Sequence, residues 1–424
     1  MGNLDYTQVL NKIENTRRFG NEPGVVVTAQ VIKVLREKGK QKRIIPYIHV
    51  AGTNGKGSVC AFFSSILKKE HMRVGTFVSP HLVDFEERIT VDGRMIPKED
   101  VTRLGNYLLD IDFGIGLTMF DYCLAMALLY FEEQQCDYMV IETGLGGRLD
   151  STNAIGTPQC AVITKIGYDH MAILGSDIAD IAAEKAGIIK ENGTVVVEQQ
   201  DKRAMQVIEQ EAKKKHARII TVEQSDIARC SGYALRLCGT FQWENAAAAE
   251  LAARYVLGKR YSGPEYEMQY DKTEPKREET DLNDRIKRAL EEAVWPGRME
   301  IVSKEPFLLV DGAHNSNGVD ALKESLMQMY PGEKFCFFMG VMADKDYDVM
   351  IREILPLAEE FYTVTPDSDR ALQASHLADF IRKEGVCATE LSGVDEIRKH
   401  LKRDTKNVAF GSLYFIGELK QHRI

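Results

Sequence analysis

The chain has 424 residues, 44% of them hydrophobic, with 54 Lys and Arg against 63 Asp and Glu, for a formal charge of −9. This apolar content is too high for a disordered chain, and the length implies two or three domains at ~150 residues each. The acidic balance argues against nucleic acid, no apolar run nears the ~20 residues of a membrane span, and the opening MGNLDYTQ lacks a basic-then-apolar leader; the expectation is a cytoplasmic protein with neither nucleic-acid nor membrane partner.

Short apolar runs alternate with helical patterns, which signals βα units around a largely parallel sheet. Strands are predicted at Tyr47–Val50, Val74–Val78, Tyr138–Ile141, Ala161–Ile166 and Val195–Val197, with helices over Val59–Lys69, Pro97–Asp110, Met119–Gln135 and the Ala-rich Trp243–Leu257. From Gly263 to Asn283 the chain reads GPEYEMQYDKTEPKREETDLN, almost without aliphatic residues, and is expected to be a solvated loop. A helix over Asp284–Ala293 precedes Trp295-Pro296-Gly297-Arg298, a hinge by its Pro and Gly. Alternation then restarts with strands at Phe307–Val310, Phe335–Met339, Phe361–Val364 and Asn407–Phe410. Eight cysteines at 60, 123, 136, 160, 230, 238, 336 and 387 form no C-x-x-C pair and read as small core residues of a reducing compartment.

The sharpest chemical signal follows the first strand: Gly52-Thr53-Asn54-Gly55-Lys56-Gly57-Ser58, opening a helix. Glycines let backbone N–H groups turn inward to phosphate oxygens, the helix N-terminus adds partial positive charge, Lys56 brings a full one, and the Ser58 hydroxyl suits magnesium. One extra glycine, Gly57, separates Lys from Ser relative to the common P-loop pattern, and no G-x-G-x-x-G can be drawn. Glu142 closes the strand YMVI, where ligands meet open α/β sheets, and can hold a phosphate-bridging magnesium. Asp169-His170 follows another strand; Lys185, in AEKAGIIK, reads from the residues alone as a snorkelling surface lysine. In the second half, Asp311-Gly312-Ala313-His314-Asn315, Asp344-Lys345-Asp346 and Gly411-Ser412-Leu413-Tyr414 each follow a strand, suggesting one ligand-facing edge. The expected fold is α/β: a P-loop nucleotide-binding domain (1–295) with a mostly parallel sheet, and a smaller Rossmann-like α/β domain (296–424).

In order along the chain, GTNGKGS (52–58), SPHL (79–82), ERI (87–89), E-x-GLGGRLD-x-TN (142–153), DH (169–170), EKAGIIK (184–190), WPGR-x-E (295–300), DGAHN (311–315), DKD (344–346) and GSLY (411–414) resemble folylpolyglutamate synthases and, more broadly, the Mur ligase superfamily. The resemblance implies an ATP-dependent amide ligase that adds L-glutamate to a folate; the GGRLD-x-TN form resembles bifunctional members that also act on dihydropteroate. It further implies two magnesium ions, the first held by Ser79 and Glu142, the second by His170 and a carbamylated Lys185. Asn245 corresponds to the adenine contact, Arg298 to an arginine on the phosphates, Asp311 to the ribose contact, and His314 and Ser412 to positions near the incoming glutamate. Lys56, Lys185, His170, Arg298 and His314 would carry the catalysis, in a monomer. Departures are Phe241 in place of a His before Gln242, Ser316 in place of a Pro after DGAHN, and the charged stretch. The competing readings are a ligase of the same superfamily acting on a cell-wall precursor, and a P-loop protein using ATP as a conformational switch.

Overall fold

The computed structural model describes residues 3–16, 20–262, 277–422 and 424. The chain divides into two compact units: Met1–His81, Phe85–Ala234 and Glu244–Ala293 form the larger, and Leu82–Asp84, Leu235–Trp243 and Val294–Ile424 the smaller.

The larger unit is built on β1 (Tyr47–Ala51), β2 (Val74–Phe77), β3 (Ile89–Val91), β4 (Arg94–Met95), β5 (Tyr138–Glu142), β6 (Cys160–Ile163), β7 (Thr194–Val197) and β8 (Arg218–Thr221), in the order β4-β3-β2-β5-β1-β6-β7-β8. Every pairing from β2 to β8 is parallel; β3 and β4 extend the edge antiparallel. β1 lies between β5 and β6, a switch point where loops diverge to leave a crevice at the strand ends. Its five residues are all buried, as a central parallel strand covered on both faces requires. By the register of the sheet Phe77, Ile141, His49, Ala161 and Val195 point to one face, which two apolar clusters cover side by side: one includes Val9, Leu35 and the Met119–Glu133 helix, the other Ile163, Ile181, Ile188 and Ile208.

The smaller unit carries β9 (Glu300–Lys304), β10 (Phe307–Val310), β11 (Phe335–Met339), β12 (Ala358–Thr363), β13 (Ala388–Glu390) and β14 (Lys406–Phe410), ordered β13-β12-β11-β14-β10-β9. It is parallel except for β9 on β10. Val310 pairs with Ala409 and Met339 with Phe410, so the ends of β10, β14 and β11, and the loops that follow them, stand side by side.

Several sequence expectations need correction. The strand predicted over Ala161–Ile166 stops at Ile163, because Thr164–Gly167 leave the sheet to bond the loop after β1. β3 and β4 escaped notice although Asp92-Gly93, both at positive φ (52° and 77°), form the tight turn that Asp-Gly signals. β9 was missed because a half-exposed antiparallel edge strand carries no apolar run. The helix expected to begin at Asp284 begins at Arg277, so residues 277–283 of the charged stretch are helical, while 263–276 lie outside the described residues. Cys387 is exposed and Cys238 half-buried, unlike the six buried cysteines.

Candidate active site

The loop after β1 is held by its neighbour on the sheet. Thr53 and Asn54 both donate their N–H groups to Lys165 O (2.9 and 3.2 Å), Thr53 Oγ1 and Gly167 exchange hydrogen bonds at 3.0 Å, and Thr164 Oγ1 donates to Asn54 O at 2.6 Å. A Cβ on Gly52 would stand 1.8 Å from Thr164 Oγ1, and one on Gly55 2.2 Å from Asn245 Oδ1. Gly55, at φ 91°, caps the helix Lys56–Lys69 in the left-handed region that only glycine enters freely. The loop is therefore glycine-rich for closeness as well as curvature. Buried Asn245, on the helix Phe241–Ser262, packs directly against it. Gly57 and buried Ser58 lie in the first helical turn, and Lys56 Nζ folds back onto Gly52 O and Thr53 O (3.1 Å each).

Glu142 is the last residue of β5, opposite Val50 of β1, and is buried. Its Oε2 accepts the Ser79 N–H at 3.2 Å, and its charge, like that of Lys56, acts on Cys60 inside the same helix. Arg88 Nε donates to His81 Nδ1, tying the ERI segment to SPHL. No group of three or more His, Cys, Asp and Glu among the described residues is placed to hold a metal. A hydroxyl and a carboxylate beside a glycine-rich, Lys-bearing loop fit magnesium, which keeps waters and phosphate oxygens in its shell; Ser58, Ser79 and Glu142 are the residues that fit it.

Lys185 is not a snorkelling residue. Only 4% exposed, it sits near the end of the helix Ile178–Ala186 and donates from Nζ to Gly52 O at 2.8 Å, the carbonyl that Lys56 also binds. Burial, and after it the Lys56 charge, push its pKa down to about 7, against the opposing pull of Asp169 and Asp150. His170 begins the short helix Met171–Leu174 in a left-handed conformation, partly exposed, with Nε2 3.9 Å from Asp169 Oδ1. Gly175, at φ 104°, turns the chain back so that a Cβ there would strike Asp180, which packs the two helices together. As an amine Lys185 offers no oxygen donor, so a second magnesium fits His170 and Lys185 only if that amine is carbamylated.

In the smaller unit, Asp311 is buried at the end of β10; its Oδ2 accepts the Met299 N–H at 2.8 Å and its Oδ1 that of Ala313 at 2.7 Å. Arg298 lies against Gly312, whose Cβ would stand 2.1 Å from Nη1, and its charge acts on Asp311. Burial nevertheless holds the Asp311 carboxyl above the usual carboxylate range. His314 Nδ1 lies 2.8 Å from Gly312 O, which places the neutral ring's proton on Nδ1. Buried Ser412 caps the helix Leu413–Gln421 through the Tyr414 N–H. Arg298, Asp311 and His314 thus converge on the Gly312 turn. Asp344 is engaged by Arg370 (2.8 Å), and Phe241 packs against Gly239 beside the apolar core.

Sequence reasoning missed the groups beneath the loops. Asp150 is buried and accepts from Leu145 N–H (2.8 Å), Thr152 N–H (3.0 Å) and Thr152 Oγ1, while Thr152 Oγ1 meets His49 Nε2 at 2.7 Å. Glu198 follows β7 as Glu142 ends β5, so the signal used for one would have found the other.

The Mur ligase middle-domain family matches residues 50–253, and the Mur ligase glutamate ligase domain family matches residues 297–411. The chain is 33% identical to the dihydrofolate synthase/folylpolyglutamate synthase of Bacillus subtilis, over 98% of each chain. A Mycobacterium tuberculosis folylpolyglutamate synthase complexed with ADP superposes with a TM-score of 0.83 at 25% identity, covering 99% of this chain and 98% of that one. E. coli FolC in complex with DHPP and ADP does so at 0.80 and 26%, covering 99% and 97%. No described helix is long and apolar enough to cross a membrane.

Proposed function

The chain belongs to the folylpolyglutamate synthase/dihydrofolate synthase family of Mur ligases, and from that premise we propose that it joins L-glutamate to a folate, and to dihydropteroate, in an ATP-dependent amide ligation. A carboxylate oxygen is a poor leaving group, so the folate carboxylate first attacks the γ-phosphorus of ATP, releasing ADP and leaving an acyl phosphate. The glutamate amine then attacks the acyl carbon, loses a proton, and expels phosphate as the amide forms. The glycine loop and Lys56 hold the phosphates and offset charge on the transferring group, and Arg298 adds a second cation. Asn245 receives the adenine, Asp311 the ribose, and His314 and Ser412 orient the glutamate. Ser58, Ser79 and Glu142 would hold one magnesium, and His170 with carbamylated Lys185 would hold a second; bound there, the metal would supply further charge neutralisation.

The observation that carries this reading is Lys185 beneath the phosphate loop. A buried amine whose pKa has fallen to about 7 is substantially neutral at physiological pH, as attack on carbon dioxide requires. The carbamate it forms, with loss of a proton, turns a second cation on Gly52 O into an oxygen ligand. The protein acts as a monomer in the cytoplasm. The test is incorporation of labelled glutamate with ATP and magnesium, using dihydropteroate or a tetrahydrofolate as acceptor. Amide formation with ADP in equal amount is expected; no incorporation with either pterin refutes the proposal.

A further inference from the structure

Three neighbouring strands end in three loops laced to one another: the phosphate loop after β1, Thr164–Gly167 after β6, and Glu198–Gln200 after β7. The middle loop joins the outer two through a single peptide group. The Lys165 carbonyl accepts both Thr53 N–H and Asn54 N–H, while the Lys165 N–H donates to Glu198 Oε2 at 2.7 Å. Gln200 clasps the same loop, accepting from Ile166 N–H at 2.9 Å and donating to Thr164 O at 3.0 Å. Glu198 is 1% exposed, and its Oε1 has no hydrogen-bond partner among the described residues. The far side of this outer loop is fixed by Glu244, which accepts the Gln199 N–H at 2.6 Å and directly precedes Asn245, the residue packed on Gly55. The lacing therefore runs from the phosphate loop out to β7 and returns through Asn245.

We propose that Glu198 is a positioning residue for the nucleotide, acting through the Lys165 peptide to fix where the phosphate-loop backbone stands. An amide whose N–H binds a carboxyl oxygen becomes a stronger acceptor at its carbonyl, so a bond made at β7 tightens the two that hold Thr53 and Asn54. Removing the Glu198 acceptor leaves a part-buried N–H without its partner, and the Lys165 peptide shifts or rotates to recover one, carrying Thr53 and Asn54 with it. Glu198 needs only an acceptor oxygen at Oε2 for this role. Burial and the neighbouring Glu244 both hold its carboxyl well above the usual range, so the neutral amide of Gln is its close mimic.

The experiment is ADP binding by titration calorimetry on the full chain, with steady-state kinetics alongside. Glu198→Leu is expected to weaken ADP about tenfold and raise the ATP KM by a similar factor, with kcat changed less and the glutamate KM unmoved. Glu198→Gln is expected to stay within about twofold of the parent. Gln200→Ala, at a half-buried site, is expected to weaken ADP about threefold and keeps the test open if Glu198→Leu fails to fold. Unchanged ADP affinity in folded Glu198→Leu, or in Gln200→Ala if only that variant folds, overturns the inference; so does equal damage in Glu198→Gln and Glu198→Leu. The inference rests on the nucleotide-binding part of the proposed function. A parent protein that binds no ADP would refute that function, whereas a parent and Glu198→Leu that bind it equally would refute only the positioning role.

Discussion

Met299 is fully buried and adopts φ 45°, a left-handed conformation that costs a non-glycine residue ~1–2 kcal/mol. Its N–H is held by Asp311 Oδ2, and the neighbouring Arg298 guanidinium lies on Gly312. Asp311 thus holds the backbone turn from which Arg298 projects. Asp311→Asn replaces one of two acceptor oxygens with an NH2 that faces a buried N–H, at a cost of ~1–3 kcal/mol. Met299→Gly relieves the left-handed strain but empties a buried site, with a net loss of ~1–3 kcal/mol. If the clamp holds Met299 against its strain, the double variant should be less destabilised than the sum of the singles by ~1–2 kcal/mol, because glycine keeps the turn unaided. Denaturant unfolding gives the three values, and the ligase assay should show part of the Asp311→Asn loss recovered in the double variant. Additivity within ~0.5 kcal/mol, with no recovery of activity, would refute the clamp. A ribose contact alone predicts that outcome, since glycine at 299 restores nothing to a sugar.

Gly55→Ala places a methyl group against Asn245 Oδ1 at a left-handed position, so ADP affinity measured by calorimetry should fall more than tenfold. The Lys185 amine gains its neutral form as pH rises through about 7. Activity at pH 8 should therefore drop in buffer stripped of carbon dioxide and return with bicarbonate, and Lys185→Arg should be inactive in both; an indifferent enzyme rules out the carbamate. His49 is fully buried, and burial, then Lys190, lower its pKa to about 3. The unfolded chain binds this proton at ~6.5 and the folded chain only near 3, so stability falls as pH drops below 6.5, by about 2 kcal/mol at pH 5. Urea midpoints at pH 7 and 5 should converge in His49→Gln relative to the parent; equal slopes would show that His49 does not carry this effect.

Local chemistry made much of the molecule legible from the chain. Buried parallel strands are short apolar runs, and β10 and β11 fall at their predicted bounds because every inward position must be apolar. The glycine-rich loop after β1 and the strand-end position of Glu142 were legible because both follow directly on short apolar runs, with glycines, Lys56 and Ser58 at fixed local spacing. Edge strands escaped because half their surface faces water, and the charged stretch was misjudged where it turns helical because polar residues do not distinguish loop from exposed helix.

Tertiary structure decided what each polar residue does. Lys185 reads as a surface lysine in AEKAGIIK, and only the turn at Gly175 and the packing of its helix bring Nζ onto Gly52 O. Asp311 reads as a polar turn residue until the fold delivers two backbone N–H groups to its oxygens. Glu198 gains a role only because β6 lies beside β1 and β7 beside β6 in space, though they stand about 110 and 150 residues from β1 in sequence. Sequence by itself determined the fold class and the glycine-rich loop that opens a helix after β1, since both follow from local pattern. Burial, charge state and hydrogen-bond partner depend on distant segments, which meet only after the chain has folded.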